Sequence, residues 1–387
     1  MCYDSLVRHV YLHVPFCRRR CAYCDFAIAV RRRIPAEEYV NAVLGELALA
    51  RGEVCGEDDQ GLETIYLGGG TPSLLPPDAV HRLLDALRAR FAAARAAFPD
   101  GLEITLEANP DDVTPAAARA WRRAGVNRVS LGAQSFDDRA LAWMRRTHDA
   151  ARIGAAVAAL RDAGIANVSL DLIFALPAEL GRDWERDLDG ALALEPAHLS
   201  LYGLSVEERT PLARWIARGA ARPSDDERYA AEYLRANERL ARAGYRFYEV
   251  ANAARPGCES RHNRAYWSGR PYLGLGPAAH SFDGRTRRWN AAAWPAYARA
   301  VAAGRSPVAG CEVLNDAART LEHVYLALRT ADGLAVAALP QAAAPPLAAW
   351  ERAGWVVVRD GRVRCTPEGW LRLDALVAAL TGGGRVA

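Results

Sequence analysis

Tyr11-Leu12-His13-Val14-Pro15-Phe16-Cys17-Arg18-Arg19-Arg20-Cys21-Ala22-Tyr23-Cys24-Asp25-Phe26 opens as a β-rich run and closes on three cysteines spaced C-x₃-C-x₂-C. Three thiolates within eight residues can wrap one cubane, each on a different iron. A [4Fe–4S] cluster takes four ligands, so three leave one iron open to a further ligand. Two other readings compete: zinc, and three incidental buried thiols. Structural zinc sites usually pair two C-x₂-C units, and no second unit occurs here.

Outward from this stretch, the chain of 387 residues is long enough for a full core and two or three domains. It is 51% hydrophobic and 25% charged, with a formal net charge of +3 carried by Arg, since it contains no Lys. No basic stripe interleaved with stacking aromatics appears, so a nucleic-acid partner is not expected. Of eight cysteines, three cluster and five scatter, a poor disulfide framework. Cys55, Cys258, Cys311 and Cys365 stand apart from other cysteines and are expected to be structural. The sequence shows neither a signal segment nor an apolar run of membrane-spanning length. A reducing cytoplasm is the expected location, with peripheral membrane contact left open.

Through residue 205, short β-rich runs alternate with Ala/Leu/Arg helical patterns. Strands are expected near Val10–Val14, Thr64–Leu67, Glu103–Leu106, Arg128–Leu131, Asn167–Ile173 and His198–Leu204. Thr114-Pro115 caps one helix and Gly125 closes it. Strand–helix alternation implies parallel strands with helical crossovers. The expected fold is therefore α/β, a partial (β/α)₆ barrel, with a doubly wound sheet as the alternative. Each strand delivers polar or special-backbone residues at its carboxyl end: Cys17, Gly68-Gly69-Gly70-Thr71, Glu107, Gln134, Asp171 and Ser205. In such barrels that face holds the site.

Residues 206–316 read as an extension. Ser224-Asp225-Asp226-Glu227 resembles a capping box opening a helix to about Ala243. Pro256 to Asn290, with little periodicity, reads as a substrate-facing loop region holding His262-Asn263-Arg264-Ala265-Tyr266-Trp267. Residues 317–387 read as a small winged-helix-like α+β unit with a hairpin around Asp360-Gly361.

Glu107, Gln134, Arg146 and Asp171 taken singly are as well explained as ordinary barrel polar groups. As a set they suit a ligand with an ammonium, a carboxylate and a ribose. A lone His is more often structural than a ligand, yet His is also a haem axial ligand. Tyr266-Trp267 beside His262 can be a core pair or the wall of a flat ligand's pocket.

Together these motifs resemble the radical S-adenosylmethionine (SAM) superfamily. Within it they resemble the branch of oxygen-independent coproporphyrinogen III oxidases and HemW-type haem chaperones. The likeness rests on Y-L-H-V-P-F-C-x₃-C-x-Y-C-D-F, L-G-G-G-T-P-S, E-A-N-P, G-A-Q-S-F, D-L-I-F-A-L-P, H-N-x₂-Y-W and Y-L-G-L-G-P-A-A-H-S. It implies that Cys17, Cys21 and Cys24 hold a [4Fe–4S] cluster, with SAM on the fourth iron and Tyr11 and Tyr23 flanking both. Gly69, Gly70 and Thr71 would meet the amino acid moiety of SAM. Glu107, Gln134, Arg146, Asp171, Ser205 and His280 would complete its pocket. Reductive cleavage of SAM to methionine and a 5′-deoxyadenosyl radical is the chemistry implied.

The oxidases continue C-x₃-C-x₂-C-x-C, whereas Asp25-Phe26 follows Cys24 here, with Phe26 in the fourth cysteine's place. Cys-Asp-Phe and His-Asn-x₂-Tyr-Trp match the chaperone pattern instead. The resemblance thus implies a haem carrier, with SAM-dependent oxidative decarboxylation of coproporphyrinogen III as the alternative and a purely structural cluster as a third reading. Haem would contact His262, Asn263, Tyr266 and Trp267. Expected partners are recipient apo-haem proteins such as respiratory enzymes, and a reductant such as flavodoxin or ferredoxin; a homodimer is left open.

Overall fold

The computed structural model of the chain describes residues 7–50, 61–91, 101–339 and 344–382. The strands of the first half are β1 (His9–Val14), β2 (Phe16–Cys17), β3 (Ala29–Val30), β4 (Thr64–Gly69), β5 (Glu103–Ala108), β6 (Arg128–Gln134), β7 (Asn167–Phe174) and β8 (His198–Gly203). They are followed by β9 (Arg246–Glu249), β10 (Asn252–Ala254), β11 (Leu273–Leu275), β12 (His280–Phe282), β13 (Thr286–Asn290) and β14 (Val308–Val313). The last three are β15 (Leu334–Ala335), β16 (Val356–Arg359) and β17 (Arg362–Cys365).

The six expected strands are present and adjacent. The main sheet runs β11-β1-β4-β5-β6-β7-β8-β10-β9, parallel from β11 to β8, with β10 and β9 antiparallel at the far edge. Its linear order makes it an open barrel wall.

Side-chain alternation explains its stability and its use. Successive residues of a strand face opposite sides. Ile65, Leu67, Ile104, Leu106, Val129, Leu131, Val168, Leu170, Leu199 and Leu201 occupy one side, fully or almost fully buried in the main core. The other side is polar, and the register matches polar residues across strands: Tyr66 opposite Thr105, Glu107 opposite Ser130, Ser130 opposite Ser169, Asp171 opposite Ser200. Buried polar groups persist only when hydrogen-bonded. His198, for example, lies 2.8 Å from Ser169 Oγ and 2.9 Å from the Tyr248 hydroxyl.

The crossover helices carry local start and stop signals. Thr114 accepts from the Ala117 N–H at 3.1 Å, Pro115 opens the helix Pro115–Ala124, and Gly125 ends it at φ +100°. The 206–316 segment differs from expectation in two respects. The helix Asp226–Arg242 is capped by Asp225, which accepts from the Arg228 N–H, and not by Ser224. Pro256 to Asn290 is ordered as the helix Arg261–Trp267 and strands β11, β12 and β13, and β11 extends the main sheet beyond β1. Strands of three to five residues leave too short a period to read. The hairpin β16–β17 turns at Asp360 and Gly361, both at positive φ, the backbone of a type I′ turn. Cys258, Cys311 and Cys365 are free thiols, Cys311 being exposed; Cys55 lies outside the described residues. Among the described residues no helix is long and apolar enough to cross a membrane.

Candidate functional site

The polar side of the sheet opens, at the carboxyl ends of the strands, into a cavity of about 410 Å³. Cys17, Cys21, Tyr23, Cys24, Gly69, Gly70, Thr71, Glu107, Gln134, Arg146, Asp171 and Ser205 all line it. Seven separate segments thus meet at the strand ends, as alternation and loop chemistry predict.

Cys17 is the last residue of β2, and its Sγ lies 3.3 Å from Thr71 Oγ1. The cysteine loop is seated on the glycine loop backbone to backbone. The Gly70 N–H donates to the Val14 carbonyl at 2.8 Å, and a Cβ on Gly70 would lie within 2.9 Å of Val14, Pro15 and Phe16 backbone atoms. Gly69, at φ +109°, donates its N–H to Glu107 Oε2 at 3.1 Å. Only glycine meets both demands cheaply.

Arg146 ties the far wall to the cysteines. Its Nη1 donates to Cys21 Sγ at 3.4 Å, and its Nη2 donates to Asn109 Oδ1 and the Gly132 carbonyl. Its Nε is buried and without a partner among the described residues. Burial pushes the Cys17 thiol up to about 11, against the Thr71 hydrogen bond, and the neighbouring Cys24 and Cys21 add to the rise. Burial raises Cys24 as well. Thiols kept neutral by burial, as Cys17 and Cys24 are, ionise readily when a cation shares the charge. This donor set fits an iron–sulfur cluster. Among the described residues no three His, Cys, Asp or Glu side chains close on a single-ion centre, as a tetrahedral zinc site would require.

Two carboxylates stand deeper. Tyr66 donates to Glu107 Oε1 at 2.9 Å, yet burial pushes the carboxyl up to about 7, with the nearby Asp171 adding to the effect. Asp171 accepts from Ser130 Oγ at 2.9 Å; burial raises it and the serines pull it back. Gln134 reaches the wall from the end of β6 at φ +68°, beyond a register shift between Leu131 and Gln134. Ser130, Gly132 and Ile173 also line the cavity. Alternation alone reveals them, since residues 130, 132 and 134, or 171 and 173, share a strand face. Asn109 and Asp112, on the loop after β5, carry no such signal.

The remaining candidates lie elsewhere. Tyr11 packs beneath Gly68, 6.1 Å from the Tyr66 ring, and is not part of the cavity lining. His280 sits on β12 beside Trp289, also away from the cavity. His262 is buried at the amino end of the sheet. Its Nδ1 lies 2.7 Å from Thr64 Oγ1, its Nε2 3.0 Å from the Tyr266 hydroxyl, and its ring stacks on Tyr66. Burial lowers its pKa well below the ordinary value. With both nitrogens engaged, this ring braces the barrel base and offers no free donor to an iron. Trp267, from the same helix, borders an open cleft of about 340 Å³ with Phe282, Leu314, Arg319 and the exposed His323. Asn263 is half-buried, its N–H held by the capping Ser260.

Comparison with known proteins identifies the family and the fold. Residues 11–191 match the family model of the radical SAM superfamily. The chain is 39% identical to the haem chaperone HemW of Mycobacterium tuberculosis, over 96% of this chain and 94% of that protein. It is 32% identical to HemW of Bacillus subtilis over 85% of each. The fold superposes on the radical SAM enzyme coproporphyrinogen III oxidase of Escherichia coli with a TM-score of 0.78 at 22% identity, covering 98% of this chain and 91% of that one.

Proposed function

The chain belongs to the HemW haem-chaperone family of the radical SAM superfamily, and on that premise we propose that it binds haem and passes it to recipient apo-haem proteins, while holding a [4Fe–4S] cluster and SAM in the strand-end cavity. The observation that carries the reading is the cavity itself, where three thiols, a glycine loop, two carboxylates and a half-buried arginine converge. Cys17, Cys21 and Cys24 would hold the cluster. Gly69, Gly70, Thr71 and Tyr23 would meet the amino acid end of SAM, and Glu107, Gln134, Arg146, Asp171 and Ser205 its remaining polar groups. When bound, cluster and SAM supply one-electron chemistry at the sulfonium. The protein's part is to orient SAM by hydrogen bonds to fixed groups and to screen it from water.

Phe26, in the place of the oxidases' fourth cysteine, stands at the cavity mouth with 58% of its surface exposed and offers no thiol. It favours carrier over oxidase. For haem, Trp267 borders an open cleft that mixes Phe282, Leu314 and Leu326 with Arg264, Arg319, Arg362, Glu322, Asp332 and an accessible His323; its apolar members suit a flat ligand and its arginines a ligand's carboxylates. We place haem there, with His262 as a brace. A cytoplasmic location, an electron-donating partner protein and the division at residues 205 and 316 belong to the same proposal.

The test is haem titration of the anaerobically reconstituted protein, run beside a decarboxylation assay with coproporphyrinogen III, SAM and reductant. Stoichiometric haem binding without carbon dioxide release is expected; release at a catalytic rate would reverse the choice. Cys21→Ala should lose the brown cluster absorbance and Trp267→Ala should weaken haem binding. An unchanged titration in the latter moves haem away from this cleft.

A further inference from the structure

The cysteine loop and the segment after β3 carry two arginine triplets, of which only Arg18 and Arg19 reach the cavity lining. Arg18-Arg19-Arg20 follow Cys17, and Arg31-Arg32-Arg33 follow Val30. β2 and β3 pair in parallel with Cys17 opposite Val30, and the Arg31 N–H donates to the Cys17 carbonyl at 2.9 Å. Parallel pairing sends both triplets out of the same end of the ribbon, side by side. Arg18, Arg19, Arg31, Arg32 and Arg33 are exposed. Arg18 pairs with Asp112 at 3.2 Å, and Arg20 donates to the Cys24 carbonyl. Arg19, Arg32 and Arg33 have no carboxylate partner among the described residues. Asp25 is the one acidic residue between positions 18 and 33. Within this rim Phe26 and Val30 are 58% and 44% exposed.

An exposed apolar centre inside a charged rim is the anatomy of a docking face. Uncompensated guanidinium groups packed side by side create a positive potential that draws and orients an acidic partner. The face begins at Arg18, one residue beyond Cys17, and includes Phe26, two residues beyond Cys24, so whatever docks here abuts the thiols. We infer that this arginine-rimmed ribbon is the docking surface for an acidic protein that donates single electrons. The inference rests on the cluster reading above. The step moves one electron and breaks no bond: the reduced donor is oxidised by one electron and the cluster goes from the 2+ to the 1+ state. Phe26 is the single exposed aromatic of the ribbon, which offers no stacking platform for a nucleic acid strand.

The experiment uses the full chain, anaerobically reconstituted, with flavodoxin as the acidic probe. Arg32→Glu/Arg33→Glu lies outside the cavity lining and should leave cluster content unchanged. Anisotropy of labelled flavodoxin should show binding weakened at least about tenfold in this variant. Raising the salt from about 0.05 to about 0.3 M should weaken the wild type far more than the variant. Cluster reduction by flavodoxin hydroquinone should slow in parallel, while reduction by photoreduced deazaflavin, a neutral small molecule, should not. Equal flavodoxin binding by wild type and variant overturns the inference. So does arginine-dependent binding to phosphatidylglycerol vesicles without flavodoxin binding, which would make the face a membrane contact. A wild type that assembles no cluster yet binds flavodoxin through these arginines would instead sink the cluster reading.

Discussion

Glu107 shows what a single residue stores in this protein. Its folded-state carboxyl, at about 7, sits above its ordinary value of 4.5 because burial outweighs the Tyr66 and Gly69 hydrogen bonds. Between those values the folded state holds more protons than the unfolded one, so its contribution favours folding at low pH and is lost as pH rises through 7. Glu107→Gln removes the titration. Thermal melts of the ligand-free protein should show the variant gaining on wild type by about 1–3 kcal/mol between pH 5 and pH 8; parallel pH profiles would refute it. Loss of the Gly69 bond is common to both pH values and drops out of the comparison. The same residue should bind a ligand's N–H or O–H best when ionised, so SAM affinity should rise over that interval in the wild type only. Glu107 was legible because it sits at a strand end among special residues. His262 was legible only as a histidine in a motif. Its bond to Tyr266 is a local i,i+4 contact within one helix, but the bond to Thr64 spans 198 residues and no local pattern announces it.

Among elements, the decisive contact is the glycine loop after β4 against the cysteine loop after β1. The neighbours of a Gly70 Cβ are backbone atoms, which cannot rotate away. Gly70→Ala should cost about 1–3 kcal/mol and lower the cluster yield on reconstitution, read from iron content per chain. Gly154 is the control. It lies inside the helix Ala150–Asp162, a Cβ there would meet nothing nearer than 3.8 Å, and Gly154→Ala should stabilise by about 0.5–1 kcal/mol. Equal effects from both would show that glycine entropy, rather than close approach, governs the loop. The six core strands were legible because each is long enough for alternation to register. The strands of residues 252–290 were not, since pieces of three to five residues owe their pairing to neighbours rather than to their own pattern.

At the scale of the whole molecule, the C-terminal helices are joined to the far edge of the sheet by a buried charge. Arg329 pairs with Glu249 at 2.9 Å, the Ala331 N–H donates to the Tyr248 carbonyl, and Trp370 Nε1 donates to the Leu328 carbonyl. Glu249 is fully buried, and burial raises its carboxyl while Arg329 pulls it down. Arg329→Met should therefore destabilise by about 3 kcal/mol at pH 8, where an uncompensated carboxylate is buried. The loss should shrink as pH falls, because burial already raises the carboxyl and removing Arg329 raises it further. Adding Glu249→Gln should recover most of it at pH 8, which denaturant melts can measure. A pH-independent loss would point to lost packing of the Arg329 stem instead.

The sequence by itself determined the α/β class, the six core strands and the cysteine, glycine and carboxylate groups at their carboxyl ends. Those properties follow from alternation, capping and spacing within short stretches. Tertiary structure decided that His262 braces the barrel base while Trp267 faces a cleft, that β11 joins the main sheet, and that two arginine triplets stand side by side. Each of these depends on which distant segments meet, and the physics of that choice, packing and hydrogen-bond satisfaction across the fold, leaves no mark within any one stretch.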